Sequence, residues 1–473
     1  MILDYMEKTV VRRAKLLNIL YCNQEETLGK LSFVLECSPM TVVSDVEYLQ
    51  NELEIPIKQS DKGDYGLKPN KAYLDDYLHK LYATSTFLTF LQYFFIYENK
   101  IDFLDFIKQQ KVSTAKGYRM RQEIVKYIAE TGLELKDNQV CGNQILLRFL
   151  RAELVKHLNM QLIFMDEQFS SACEQILTKL EEQLGIVFTK EQHYLYQLLM
   201  NQSILVSKWD KSDFDSDIES LISAKMYPTG YCELVKEYLS QYWSEENYLF
   251  EEKFALVVFL AINPYIFDEN LPVQMVLQNE LSFFALPKVN ELISEIKQKF
   301  IVEKSREKHF YTALYIYLRD AFLGIQNIKN SCKIMIETPY RTTKTYYDLV
   351  KLLEKWNHKR LKLSNHYNLI LYKRMAIILT TKHYSDVVIV SEQRSDALFL
   401  RDYLQKMYSK KPMNLKIATT QAELLNNKKS AQTLFLMDKA WHEKKLIPAT
   451  NVLYISFPLS TEQMFEMLMK LSC

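Results

Sequence analysis

The chain has 473 residues, 48% of them hydrophobic and 25% charged, a composition that fits about three to five folded domains with little room for long disordered tails. Glycine is scarce at 9 residues, and no stretch reads GxGxxG or GxxxxGK(S/T), which excludes nucleotide enzymes built on glycine-rich phosphate loops. The formal charge of +1 supplies no global field toward nucleic acid or anionic lipid, so any basic surface must be local.

The longest strongly apolar run, FALVVFLAINPYIF from Phe254, is interrupted by Asn263 and Pro264 and falls short of the roughly 20 residues of a membrane span. The N-terminal MILDYMEKTVVRRAKLL has early acids and no cleavage-site pattern, so no secretory signal is expected and the cytoplasm is the expected compartment. The cysteines (Cys22, Cys37, Cys141, Cys173, Cys232, Cys332 and Cys473) are odd in number and scattered without a CxxC pair, which supports neither a disulfide framework nor a zinc knuckle. No GxSxG or HExxH occurs and the histidines are dispersed. Adjacent carboxylates such as Asp75 and Asp76, or Glu181 and Glu182, point to different sides of a helix. No enzyme, cofactor or metal site is expected.

In chain order, RRAKLLNILY and TLGKLSFVLE read as amphipathic helices. Cys37 to Pro39 breaks them from a third, MTVVSDVEYLQNEL, which Ser38 should cap with Pro39 in its first turn. IPIKQSDKGDYGLKPN then places a turn at Asp61 to Asp64 between two extended pieces, the wing of a winged helix. The same order recurs. FLTFLQYFFIYENKIDFLDFIKQQKV supplies two apolar helices, Ser113 caps TAKGYRMRQEIVKYIAETG, and a second wing is expected around Asp137 to Gly142. At about 100° per residue, Lys116, Arg119, Met120, Glu123 and Tyr127 share one face, with Ile124, Val125 and Ile128 opposite. From Lys108 to Lys126 stand Lys108, Lys111, Lys116, Arg119, Arg121 and Lys126 against one acid, Glu123. The first third helix carries Asp45, Glu47, Glu52 and Glu54, with no base before Lys58. Duplex affinity rests on neutralised phosphates and base readout favours Arg or Lys, so the second helix is the expected main DNA contact. Its candidate residues are Lys111, Ser113, Lys116, Arg119, Arg121 and Lys126, with Thr41, Lys58 and Lys62 from the first copy.

Helical spacing such as LLNIL and LYQLLM continues to about residue 380, with weak joints at YPTGY (227–231) and NPYIFDENLP (263–272). The last 90 or so residues alternate short apolar runs with helix-like stretches: VVIV (387–390), LKIA (415–418), TLFLM (433–437) and NVLYISF (451–457), the rhythm of a small parallel α/β layer. The fold class expected is mainly α and multidomain.

Two winged helices, a long helical middle and an α/β tail resemble the Mga/AtxA family of Gram-positive virulence regulators, through the Ser38, Thr41, Val42, Asp45, Val46 pattern and through VSTAKGYRMRQEI followed by LELKDNQVCGNQILLR. The chain keeps Ser113, Arg119, Gly142 and Arg148 of the second pattern but has Lys116, Gly117 and Gln144 where the family usually has Thr, Leu and Glu. Gly117 inside a helix costs up to about 1 kcal/mol relative to alanine. The resemblance implies a first winged helix-turn-helix at 1–72, a second at 73–160, two helical phosphotransferase-system regulation domains at 161–280 and 281–383, and a IIB-like α/β domain at 384–473. It also implies a homodimer, formed through the C-terminal domain, that binds double-stranded DNA, lies off the membrane and receives phosphoryl groups from a phosphotransferase-system phosphocarrier protein. The expected phosphoacceptor position near Met200 to Ser203 reads MNQS, leaving His193, His309 and His366 as candidates; imidazole is nucleophilic near pH 7. The IIB cysteine is replaced by Ser391 after the first strand, and the loop from Ser391 to Ser395 could hold an anion. Two other functions compete with a DNA regulator: an RNA-binding antiterminator, which would begin with a β-rich dimer, and a docking scaffold without DNA binding.

Overall fold

The computed structural model describes residues 2–23, 25–61, 63–67, 74–96, 101–204, 214–224, 227–228, 230–262, 283–302, 307–329, 344–358, 361–375, 379–380, 386–391, 394–407, 414–420, 423–424, 433–438, 452–455 and 467. The chain is mainly helical with one small parallel sheet near its C-terminus. It divides into two compact bodies. The larger comprises Met1–Asn290, Tyr315–Pro339 and Asn357–Tyr367; the smaller comprises Glu291–Leu314, Tyr340–Trp356 and Asn368–Cys473.

The larger body opens with helices α1 (Lys8–Asn23), α2 (Leu28–Val34) and α3 (Pro39–Asn51), then the antiparallel hairpin β1 (Ile57–Gln59) and β2 (Tyr65–Leu67), paired Lys58 to Gly66. The order repeats in α4 (Leu74–Tyr82), α5 (Thr86–Ile96), α6 (Phe103–Gln109), α7 (Thr114–Glu130) and the hairpin β3 (Glu134–Lys136) and β4 (Gln139–Cys141). Asp137 and Asn138, both at positive φ (47° and 62°), form the two-residue turn whose twist matches a hairpin. The N-terminal segment ties the copies together. Glu7 accepts hydrogen bonds from Ser85 Oγ (2.7 Å) and the Phe87 amide (3.0 Å) at the start of α5, where a carboxylate offsets the unpaired amides of a helix N-terminus. Tyr5 donates to Glu130 at the far end of α7 (2.6 Å).

After the second hairpin come α8 (Gln144–Leu158), α9 (Glu167–Leu184), α10 (Lys190–Asn201), α11 (Ser216–Ser223), α12 (Tyr231–Leu239) and α13 (Glu245–Ile262). From Phe254 to Ile262 every residue of α13 is buried, and a helix apolar all round must be central. The FALVVFLAI run is this hub; among the described residues no helix is long and apolar enough to cross a membrane. Its last carbonyls, without intrahelical partners, accept from three separate segments: Leu260 from Arg319 Nη1 (2.9 Å), Ala261 from Lys329 Nζ (3.1 Å) and Ile262 from Gln192 Nε2 (2.8 Å). Two of these donors are cations, which a helix C-terminus favours. Burial alone would raise the Asp320 carboxyl's pKa, but Arg319 and Lys329 beside it and the Tyr367 hydroxyl (3.0 Å) bring it below its ordinary value. One turn into α8, Arg148 reaches α13 through a bidentate pair to Glu251 (2.7 and 2.5 Å), both side chains buried.

In the smaller body, helices α14 (Pro287–Lys299, from Glu291) and α16 (Lys344–Asn357) are joined by Lys355 to Glu295 (2.6 Å) and Lys299 to Asp348 (3.2 Å). Helix α15 (Glu307–Phe322) and helix α17 (Asn365–Met375) each contribute residues to both bodies. Strands β5 (Ile301–Val302) and β6 (Leu379–Thr380) pair antiparallel. The parallel sheet has the order β10 (Val452–Ile455), β9 (Thr433–Asp438), β7 (Asp386–Val390), β8 (Asn414–Ala418). Val387, Ile389, Leu434 and Leu436 pack with Ala397, Leu400 and Leu404 of helix α18 (Arg394–Met407), while Val388, Val390, Phe435 and Met437 pack on the opposite face with Leu424. Burial on both faces is why these strands read as continuous apolar runs. Ser391 is buried directly after β7; residues 392–393 of the suggested anion loop, Cys332, Cys473 and the joint at 263–272 lie outside the described residues.

A bidentate buried pair costs more to break than to replace. Glu251→Ala is expected to lower unfolding free energy by about 3–5 kcal/mol in urea titration, whereas the double variant Arg148→Met, Glu251→Leu should recover most of that loss.

Candidate nucleic-acid interface

The two helix-turn-helix turns match residue for residue. In the first, Leu35, Glu36 and Cys37 amides donate to the carbonyls of Leu31 (2.9 Å), Phe33 (3.3 Å) and Ser32 (3.1 Å); in the second, Gln110, Lys111 and Val112 donate to Phe106 (3.0 Å), Lys108 (3.0 Å) and Ile107 (3.3 Å). Glu36 and Lys111 take the same left-handed conformation (φ 50° and 52°), which satisfies the last carbonyls of the preceding helix. Ser38 Oγ then accepts from the Thr41 amide (3.2 Å) and Ser113 Oγ from the Lys116 amide (3.3 Å), so both serines are N-caps.

Gly117 explains how α7 lies so close to α6. A Cβ at this position would stand 2.5 Å from Ile107 Cδ1 and 2.6 Å from its Cγ1. Ile107 is itself buried and β-branched, with few alternative rotamers. The glycine is therefore required by packing, a gain that propensity alone does not register.

Gly117, Ile124, Tyr127 and Ile128 form the buried stripe of α7, while Thr114, Ala115, Lys116, Tyr118, Arg119, Gln122, Val125 and Lys126 are exposed. This corrects the helical-wheel reading at two positions. Tyr127, expected beside Lys116, is buried against Tyr5 and Phe87 (ring centroids 5.8 and 6.2 Å); Val125, expected in the core, is exposed. The cause is that the buried stripe is one arc running around the helix from Tyr127 to Ile128, so that Tyr127 falls inside it and Val125 outside.

The bases divide by what holds them. Lys108 pairs with Asp105 (2.8 Å), Lys126 with Glu123 (2.7 Å) and Lys136 with Glu134 (3.0 Å), and the half-buried Arg121 donates to Asn138 in the wing (3.3 Å). Lys111, Lys116 and Arg119 are exposed and have no ion-pair or hydrogen-bonding partner for their side chains among the described residues. Three unneutralised cations thus sit on the turn and the first two turns of α7, where a recognition helix meets a groove. Gln122 and Tyr118, exposed on the same side, were missed by a search for charge; the polar and aromatic positions between buried ones were the available signal.

The corresponding positions of the first copy carry Glu36 for Lys111, Thr41 for Lys116, Ser44 for Arg119 and Glu47 for Gln122. The Thr41 hydroxyl is engaged with Ser38 Oγ (2.9 Å). Asp45 does not belong to this outward face: it is buried and bound by Arg12 (2.6 Å) and Arg13 (2.9 Å) of α1. Lys58 is exposed on β1, and Lys62 lies outside the described residues.

Among the candidate phosphoacceptors, His193 has both ring nitrogens against carboxylates, Nδ1 to Glu174 (2.9 Å) and Nε2 to Glu181 (3.2 Å). Burial works to lower its pKa, but these two hydrogen bonds outweigh it and hold the imidazole's pKa above its ordinary value. His309 is exposed near the start of α15, and His366 is half-buried with its ring 6.2 Å from that of Tyr367. At the MNQS stretch all four residues are buried. Asn201 accepts from the Asp166 amide (2.9 Å), Gln202 donates to the Arg148 carbonyl (3.0 Å) and Ser203 accepts from Trp243 Nε1 (2.9 Å). That segment is a polar knot tying α10 to its neighbours. Among the described residues no group of His, Cys, Asp and Glu could hold a metal ion.

Gly117→Ala sets a helix-propensity gain of about 1 kcal/mol against overpacking that costs about 1–3 kcal/mol. With stiff Ile107 as the neighbour, thermal unfolding is expected to show net destabilisation, relieved in the double variant Gly117→Ala, Ile107→Ala relative to Ile107→Ala alone.

Comparison with curated proteins gives no match. Residues 70–154, from just before α4 to within α8, match the family model described as the Mga helix-turn-helix domain. With that domain in place around α6 and α7, the chain carries a Mga helix-turn-helix domain and is a DNA-binding transcription regulator.

Proposed function

We propose that the chain regulates transcription by binding duplex DNA mainly through α7 and the wing that follows it. The observation that carries this reading is the set of cations left unneutralised on the leading end of α7, Lys111, Lys116 and Arg119, since counterion release by such groups supplies most of the affinity for duplex. Ser113 orients the helix start toward phosphate, as a capped helix N-terminus does. Arg121 steadies the wing and Lys126 extends the positive edge, while Lys58 and Lys62 of the first wing, with Thr41, add contacts on the flanking backbone.

The finer reading rests on the family resemblance. The working form is a cytoplasmic homodimer held by the C-terminal α/β domain, acting as an activator of virulence or carbohydrate-responsive genes, and the helical middle is a pair of phosphotransferase-system regulation domains. A phosphocarrier protein supplies the phosphoryl group, and His309 is the first acceptor to consider because it is exposed. His366 is second. His193 is third, since a phosphoryl group on either nitrogen would displace a carboxylate contact and face repulsion from both acids.

Duplex binding measured across a salt series tests the reading. The chain should bind promoter-length duplex in preference to matched RNA, and Lys111→Ala and Lys116→Ala should each reduce the log–log salt slope by about one. Unchanged slopes in both variants would remove α7 from the interface, and a preference for RNA would favour the antiterminator reading.

A further inference from the structure

Phosphate contacts place a protein on DNA without reading its sequence, so base discrimination requires groups with directed donors and acceptors on the groove-facing side of α7. That side is opposite the stripe of Gly117, Ile124, Tyr127 and Ile128. Its exposed residues within the first three turns are Ala115, Tyr118, Arg119 and Gln122. Tyr118 is partly committed, its ring packed edge-on against Phe103 at 5.6 Å. Ala115 offers only a methyl group. Arg119 and Gln122 are one turn apart on one face, within about 5–6 Å at Cβ. Both lack a side-chain hydrogen bond among the described residues, so no intramolecular contact has to be broken when either engages a base. Of the other polar side chains of this region, Arg121, Glu123 and Lys126 already have partners within the chain.

We infer that Arg119 and Gln122 form the base-reading pair of α7, Arg119 on a guanine and Gln122 on an adenine one or two steps away, while Lys111 and Lys116 hold phosphates. The chemistry follows from the groove: guanine presents two acceptors that match a guanidinium, and adenine presents one acceptor and one donor that match a carboxamide. Three residues of helix advance about 4.5 Å, between one and two base-pair rises. The first copy supports the assignment by contrast, because Ser44 and Glu47 at the corresponding places cannot make this pair of contacts. The inference rests on the duplex-binding reading and adds to it the residue that selects the sequence.

The test is selection of bound sequences from a randomised duplex library by the full chain, comparing wild type with Gln122→Ala, Gln122→Glu and Arg119→Ala. Wild type should enrich a guanine and an adenine within two steps of each other. Gln122→Ala should keep the guanine and reduce discrimination at the adenine by about tenfold or more, with the salt slope unchanged because no charge is lost. Gln122→Glu should move the preference at that position toward cytosine, whose exocyclic amine suits a carboxylate; a residue with a merely structural role would not redirect it. Arg119→Ala should lose the guanine. Identical preferences in wild type and both Gln122 variants would overturn the inference, as would duplex binding by wild type with no enriched sequence, which leaves the duplex-binding reading standing. Failure of wild type to bind any duplex at low salt would overturn both.

Discussion

The larger body depends on a buried ion pair. Arg148 and Glu251 meet through two parallel hydrogen bonds (2.7 and 2.5 Å) in a setting closed to water, and a guanidinium held at both nitrogens can neither slide nor rotate without abandoning a buried charge. Arg148 stands at the start of α8, which is capped by Asn143 immediately after the second wing. Glu251 stands in the hub helix, whose C-terminal carbonyls are held by Arg319, Lys329 and Gln192. The wing is thus a few residues of continuous chain from a fixed point in the helical core. Any rearrangement of α13 would have to carry α8 with it or break the pair.

The two helix-turn-helix copies show how one backbone solution can support two surfaces. Their turns use the same amide-to-carbonyl pattern, the same left-handed residue and the same serine cap. What differs is the chemistry projected outward. The second copy presents Lys111, Lys116, Arg119 and Gln122, while the first presents Glu36, Thr41, Ser44 and Glu47 along with exposed Phe33 and Met40. Near a polyanion, two carboxylates in the places of a cation and an amide oppose approach. The first copy retains its fold because its stability is internal, with Asp45 buried between Arg12 and Arg13.

Local chemistry was the most legible part of the sequence. Ser38 and Ser113 declared their helices because a short side-chain oxygen ahead of an apolar repeat has one favoured use, and strands β7 and β9 declared themselves as apolar runs because a sheet covered on both faces requires them. The basic cluster from Lys108 to Lys126 was visible as composition. Which of its members are unneutralised was not, since that depends on Asp105, Glu123 and Asn138 arriving at particular side chains. Tyr127 and Val125 exchanged places for the same kind of reason: a helical wheel gives the spacing of the buried arc but not its centre, which packing against Tyr5, Phe87 and Ile107 sets. Gly117 read as a loss of helix propensity and proved to be the close approach of α6 and α7, a tertiary fact with no local signature. The MNQS stretch likewise reads as ordinary polar helix until its partners Asp166, Arg148 and Trp243, distant in sequence, are brought to it.

DNA is met principally by α7, its counterpart α3 adding only the flanking contact of Thr41. Hydrogen–deuterium exchange of the full chain, with and without saturating duplex, separates the two helices directly because they occupy different stretches of sequence. The account predicts slowed exchange from Val112 to Gln122 on adding duplex and little change from Pro39 to Asn51. Protection of α3 with α7 unaffected would contradict it.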